Sequence, residues 1–200
     1  MPFSTFLAGI IFASTATYGD EDPSFSTDHL AGRTWRMELE MPLAPQYPLS
    51  HRHLFEFDAS VSSEIAIRRG ADPARLSIWY FTGGQFSGEG LQGVLLPGGG
   101  DWATVESEDQ LRIDVRAVLE TDDGARIYMQ YRGLWRALVP GALTRLLREG
   151  RPYRHDEHYL RVAAEFETDA SRYSWLNGIV AIGVGGYADG AVHYSFYAAQ

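Results

Sequence analysis

The sequence contains no cysteine and no lysine. Without cysteine there is no disulfide framework, no thiolate nucleophile and no thiolate metal site. Without lysine there is no Schiff-base chemistry, and all 17 basic residues are arginine. Positive charge is also scarce, because 26 acidic residues leave a net charge of −9, which argues against nucleic acid or an anionic membrane surface as a partner. Long apolar runs are missing: the segment from Phe6 to Ala16 is too short, and too broken by Ser and Thr, to span a bilayer. Glycines crowd the stretch from Gly83 to Gly100, yet no helical pattern follows them, so they form no dinucleotide cradle. No G-x-S-x-G elbow marks a serine hydrolase. Two histidine pairs, His51/His53 and His155/His158, have the spacing of metal ligands but no further ligand placed to complete a site. The expectation is therefore no redox cofactor and no tightly bound metal.

What is present is a globular, aromatic-rich composition: 45% hydrophobic and 13% aromatic residues in 200, enough for one domain with a sizeable core. Residues 1–50 read as an N-terminal extension, and residues 51–200 as the domain proper. Within the extension, residues 1–16 resemble a signal peptide in the length of their apolar part and in Ser14-Thr15-Ala16 as a cleavage site, but no basic residue precedes them. Cleavage there implies export; an uncleaved segment is an apolar strand or arm of a cytoplasmic protein. Thr34 to Met41 alternates as a half-buried strand, and Pro42, Pro45 and Pro48 force an irregular connection after it.

The clearest local signal is a β-hairpin over residues 112–132. Asp122-Asp123-Gly124 suits a three-residue loop closed by glycine in the left-handed region. That loop pairs Val118 with Tyr128, Arg116 with Gln130 and Asp114 with Arg132. One face then carries Ile113, Val115, Ala117, Leu119, Ile127, Met129 and Tyr131, and the other is polar. Further strands are expected over His53–Val61, Leu76–Phe81, Tyr159–Phe166, Trp175–Val184 and Gly190–Tyr197, with one helix over Pro140–Arg148. The fold class is all-β, a single antiparallel barrel with one short helix near one end. Edge strands and an apolar arm add the expectation of a homo-oligomer.

The motifs GGQFSGEGLQG, LPGGGDW, RIDVR, TDDGARIY and FET…YSWLN occur in that order between His53 and Tyr197. On these the chain resembles domain-of-unknown-function family 3237, the UPF0311-like small β-barrel proteins of bacteria and fungi. The resemblance implies a barrel similar to those of allene oxide cyclases and dirigent proteins, which steer ring closure or radical coupling without a cofactor. Residues at the family's motif positions are Asp101, Trp102, Asp114, Arg116, Tyr128, Arg132, Arg161, Glu167, Tyr173, Trp175 and Asn177. The extension and Tyr131 depart from that pattern.

These residues support two pictures of the polar hairpin face. Either it is a solvated outer wall with Asp114–Arg132 and Arg116–Glu120 as surface ion pairs, or Asp114, Arg116, Tyr128 and Arg132 line the barrel mouth and handle charge there. Asp101 either braces the corner after three glycines or joins Glu167 as a second carboxylate of the site. Trp79, Phe86, Trp102, Tyr131, Arg161, Tyr173, Trp175 and Asn177 are the expected contacts of a small hydrophobic or aromatic substrate. The function expected on this basis is a cofactor-independent cyclase or isomerase acting on a natural-product intermediate. A lipocalin-like carrier, and a hydrolase or dehydratase using Asp101 and Glu167, are the alternatives.

Overall fold

The computed structural model describes residues 47–68, 74–149, 154, 156–188 and 190–200. The signal-like segment and the strand expected over Thr34 to Met41 fall outside these residues.

Ten strands form one sheet: β1 (His51–Val61), β2 (Ile65–Arg68), β3 (Arg75–Gly88), β4 (Leu91–Leu95), β5 (Gly100–Val105), β6 (Gln110–Thr121), β7 (Arg126–Ala137), β8 (His158–Glu167), β9 (Ala181–Ala188) and β10 (Ala191–Ala199). The order β1-β10-β9-β8-β7-β6-β4-β3-β2 closes on itself because β1 also pairs with β3. β4 and β5 share one place, each bridging β3 to β6 at a different height, so the closed ring has eight positions and β2 hangs outside it. Among the described residues every pairing between these strands is antiparallel, as short connections between consecutive strands require.

The central hairpin has the register its sequence predicts, with Val118 opposite Tyr128, Arg116 opposite Gln130 and Asp114 opposite Arg132. Gly124 takes φ 82° in the turn, and its N–H donates to Thr121 O at 2.8 Å. Strict alternation drives Ile113, Val115, Ala117, Leu119, Ile127, Met129 and Tyr131 into the barrel, where all are buried. The polar face therefore looks outward. Its ion pairs are Asp114 with Arg116 (3.2 Å) and Arg132 (3.1 Å), and Glu120 with Arg126 (3.3 Å). The expected Arg116–Glu120 pair does not form, because four residues along a strand lie about 13 Å apart whereas Glu120 faces Arg126 directly across the ladder.

Close strand contacts explain several glycines. A Cβ on Gly84 would sit 2.1 Å from Asp58 O, and one on Gly133 would sit 2.0 Å from Arg161 O. β3 thus runs unbroken through Gly83-Gly84 to Gly88 rather than ending at Phe81. The stretch expected as a strand from Trp175 divides in two: Ser171–Gly178 is a 3₁₀ helix, and β9 begins only at Ala181. Asn177 explains the break, since its side chain accepts the Thr168 N–H and donates to Thr168 O, both at 2.9 Å, folding the segment back on the end of β8. Helix α1 (Ala142–Glu149) buries Ala142 and Leu143, with Pro140 in the turn before it.

The barrel interior is divided. Phe55, Phe86, Phe166 and Phe196 fill one part, with Phe55 ring centroids 5.2–6.2 Å from the other three. Tyr131 and Tyr194, 5.5 Å apart, stand at the boundary of this packed part, and beyond them the interior is open.

Candidate functional site

The open part is a cavity of about 420 Å³. Its walls come from the inner faces of β3 (Trp79, Phe81), β6 (Leu111, Ile113, Val115), β7 (Tyr131, Trp135), β8 (Leu160) and β10 (Val192, Tyr194). Val61 at the end of β1, the Ser62–Glu64 link after it, Tyr187 of β9 and Gly190 of the β9–β10 turn also line it. The link is clipped to β3, since the Ser62 N–H donates to Tyr80 O (2.8 Å) and the Tyr80 N–H to Ser62 Oγ (3.0 Å). Glu64 Oε1 accepts from Ser77 Oγ at 2.5 Å and from Arg75 Nε at 3.3 Å.

One carboxyl group reaches into this apolar space. Asp101 has the parity of buried Ala103 and Val105 on β5, so it faces inward while Trp102 and Thr104 face out. The β5–β6 ladder is interrupted between the pairs Asp101–Val115 and Thr104–Arg112. There the Asp114 N–H donates instead to Asp101 Oδ1, at 3.0 Å. Burial pushes the Asp101 carboxyl up from 3.8 to about 7; the hydrogen bond from Asp114 opposes this and the Asp114 charge adds to it. Tyr131 is held well above its ordinary value by burial, then by Tyr194 and Asp101, and Tyr194 by burial and Asp101. Near neutral pH the cavity therefore holds a carboxyl poised between acid and base beside two phenols that stay protonated, a combination suited to general acid–base work.

The residues expected at a site fall into separate groups. Asp101, Trp79 and Tyr131 line the cavity. Asp114, Arg132, Trp102 and Arg161 instead border a groove of about 940 Å³ on the outer wall, with Arg116 stacked over Trp102 at 5.6 Å. Tyr128 also looks outward, its hydroxyl 3.5 Å from Gln130 Oε1, and Glu167 is exposed at the end of β8. Asp101 and Glu167 thus face opposite sides of the wall and form no carboxylate pair. Phe86 is core, packed edge-on to Phe55. Tyr173 is buried with its hydroxyl donating to Asp123 Oδ1 at 3.0 Å, which ties the 3₁₀ helix to the hairpin loop. Asn177 braces that helix, and Trp175 is an exposed platform for Arg52, 5.3 Å from its ring.

Asp101 is in a strand, and the corner falls before it, at Gly98 with φ 109°; Gly99 and Gly100 let the chain lie against β6 and β3, where a Cβ would meet Arg116 O at 2.3 Å and Trp79 O at 2.5 Å. Tyr194, Trp135 and Glu64 join it at the cavity wall, the last two without having been expected there. The alternation of Tyr194 with Phe196 on the last strand was the available signal for the first. His51 and His53 are exposed and edge-on to Tyr197, and His155 is outside the described residues. Among the described residues no group of three or more His, Asp or Glu side chains is arranged to hold a metal, and no helix is long and apolar enough to cross a membrane.

Comparison with known proteins agrees with this architecture. The model of the DUF3237 family, described as a protein of unknown function, matches residues 49–199. A UPF0311 protein of Rhodopseudomonas palustris is 33% identical over 101 residues, covering 50% of this chain and 65% of that protein, just under two thirds of its length. A β-barrel-like protein of Acinetobacter baumannii, solved as a crystal structure, is 33% identical with a TM-score of 0.66, covering 79% of this chain and 99% of its own. The crystal structure of an enzyme from Penicillium herquei shares the fold at 20% identity and a TM-score of 0.54, over 78% of this chain and 98% of its own.

Proposed function

Because the chain belongs to the DUF3237 family, whose description assigns no activity, we propose a function from the cavity itself: a cofactor-independent isomerase or cyclase that moves protons on a small ring-forming substrate. The observation that carries this reading is the Asp101 carboxyl, raised to about 7 inside an aromatic cavity next to Tyr131 and Tyr194. In its acid form Asp101 gives a proton to a carbonyl oxygen or alkene carbon of the substrate. As carboxylate it removes a proton from another position, so the product has the mass of the substrate and the enzyme returns to its starting state. The phenols of Tyr131 and Tyr194 donate hydrogen bonds to the same oxygen. Aromatic walls hold a flexible substrate in the folded conformer that closes a ring, and orientation of this kind can lower a barrier by several kcal/mol.

The rival reading, a carrier, uses the same walls without the proton transfer. The two separate on the fate of the ligand. Native mass spectrometry of protein purified from its producing cells identifies a retained small molecule, which is then incubated with fresh protein. The expected result is an isomer of unchanged mass and altered retention time, formed by the wild type, with Asp101→Asn binding the ligand but not converting it. Ligand recovered unchanged from both proteins supports the carrier and overturns the enzyme.

A further inference from the structure

Among the described residues, the charged groups on the cavity wall are all of one sign. Its wall, among the described residues, carries two carboxyl groups, Asp101 and Glu64, and no arginine or histidine. Arg75, beside Glu64, has its guanidinium committed to that carboxylate at 3.3 Å, and the His158 ring lies behind the Trp135 indole, 6.1 Å from it. The arginines of the central hairpin, Arg112, Arg116 and Arg132, are on the outer wall, placed there by the alternation that sends Ile113, Val115 and Tyr131 inside. An anion entering the cavity gives up its hydration and finds no counter-charge on the wall. A neutral or protonated ring system meets none of these penalties. It stacks on Trp79, Trp135 and Phe81, and a positive charge is attracted both to the aromatic faces and to the carboxyl groups.

We infer that the substrate of this cavity is a non-anionic ring-bearing molecule, whose oxygen or nitrogen atoms accept hydrogen bonds from Tyr131 and Tyr194, and that molecules bearing a carboxylate, sulfonate or phosphate are rejected. This rests on the reading of the cavity as the small-molecule site. It also assigns a direction to the chemistry, since walls of this kind favour positive charge developing on the substrate and offer no cation to an enolate or other oxyanion.

Two fluorescent probes with the same naphthalene and phenylamine framework test this on the full chain: N-phenyl-1-naphthylamine, which is neutral, and 8-anilinonaphthalene-1-sulfonate, which adds one sulfonate. The neutral probe is expected to bind saturably, and Trp79→Leu is expected to weaken it, which places it in the cavity. The sulfonate is expected to displace it with an affinity lower by roughly tenfold or more, from lost hydration and the missing counter-ion. Asp101→Asn, which keeps the acceptor for the Asp114 N–H, is expected to narrow that gap. Equal displacement by the two probes, in protein where Trp79→Leu still weakens the neutral one, overturns the charge inference and leaves the cavity reading standing. No saturable binding of the neutral probe, or binding indifferent to Trp79→Leu, overturns both.

Discussion

Asp101 Oδ1 accepts the backbone N–H of Asp114 at 3.0 Å, across the break in the β5–β6 ladder. The two aspartates have opposite surroundings: Asp101 faces the cavity, whereas Asp114 lies outside between Arg116 and Arg132. One hydrogen bond therefore joins a carboxyl deprived, among the described residues, of any counter-ion to the backbone of one that has two.

The first prediction follows from that deprivation. Burial holds the Asp101 carboxyl at about 7 against 3.8 when exposed, so between these values the folded chain binds a proton that the unfolded chain has released. Stability from this group is complete below about pH 4 and declines as the pH rises to about 7, by a total of about 4 kcal/mol at most. Asp101→Asn removes the dependence while retaining the acceptor. In urea melts the difference between variant and wild type is expected to be smallest at pH 4 and below, to grow as the pH rises, and to favour the variant most at pH 8. A difference that does not change with pH would contradict the assignment.

The second prediction concerns the outer wall. Arg132 is paired with Asp114 at 3.1 Å but its side chain is 66% exposed, so the pair is worth about 0–1 kcal/mol. Arg132→Ala is expected to shift the urea midpoint slightly and to leave binding of the neutral naphthylamine probe unchanged. Loss of ligand conversion in Arg132→Ala would move the proposed chemistry from the cavity to the outer groove.

A third prediction tests strand contact. Gly133 lies where β7 and β8 approach so closely that a Cβ would meet Arg161 O at 2.0 Å and Val162 Cα at 2.7 Å. Gly133→Ala must therefore push backbone apart, at a cost of about 2–3 kcal/mol. Thermal unfolding should show a clear fall in midpoint, whereas Gly124→Asn, at a turn φ of 82° with open space around it, should cost far less.

The fourth concerns assembly. β2 pairs only with β3 among the described residues, and all four of its residues are exposed, with Ile65 and Ile67 each at 47%. An apolar edge of this kind favours pairing with a second copy. Light scattering at micromolar concentration is expected to show a dimer, and Ile67→Lys to shift it to monomer. A wild-type monomer under those conditions rules the association out.

The sequence determined the features whose causes are local. Asp122-Asp123-Gly124 sets the turn, the turn sets the register, and the register sorts the hairpin's apolar side chains from its polar ones, because side chains alternate along a strand. The motif order carried the family, and with it the barrel. The 3₁₀ helix at Ser171–Gly178 was less legible, since what bends it is a pair of hydrogen bonds from Asn177 back to Thr168, nine residues away.

The site itself was decided by the tertiary structure. Asp101 and Trp102 are neighbours after three glycines, and nothing local says which of them turns inward. A slip of one residue against β3 and β6 would exchange them, bringing the indole in and leaving the carboxyl in water at its ordinary acidity. Pairing with both of those strands fixes the parity. Ring closure then brings the Tyr131 and Tyr194 rings, on strands distant in sequence, to 5.5 Å, and that enclosure thins the hydration that would keep Asp101 an ordinary carboxylate.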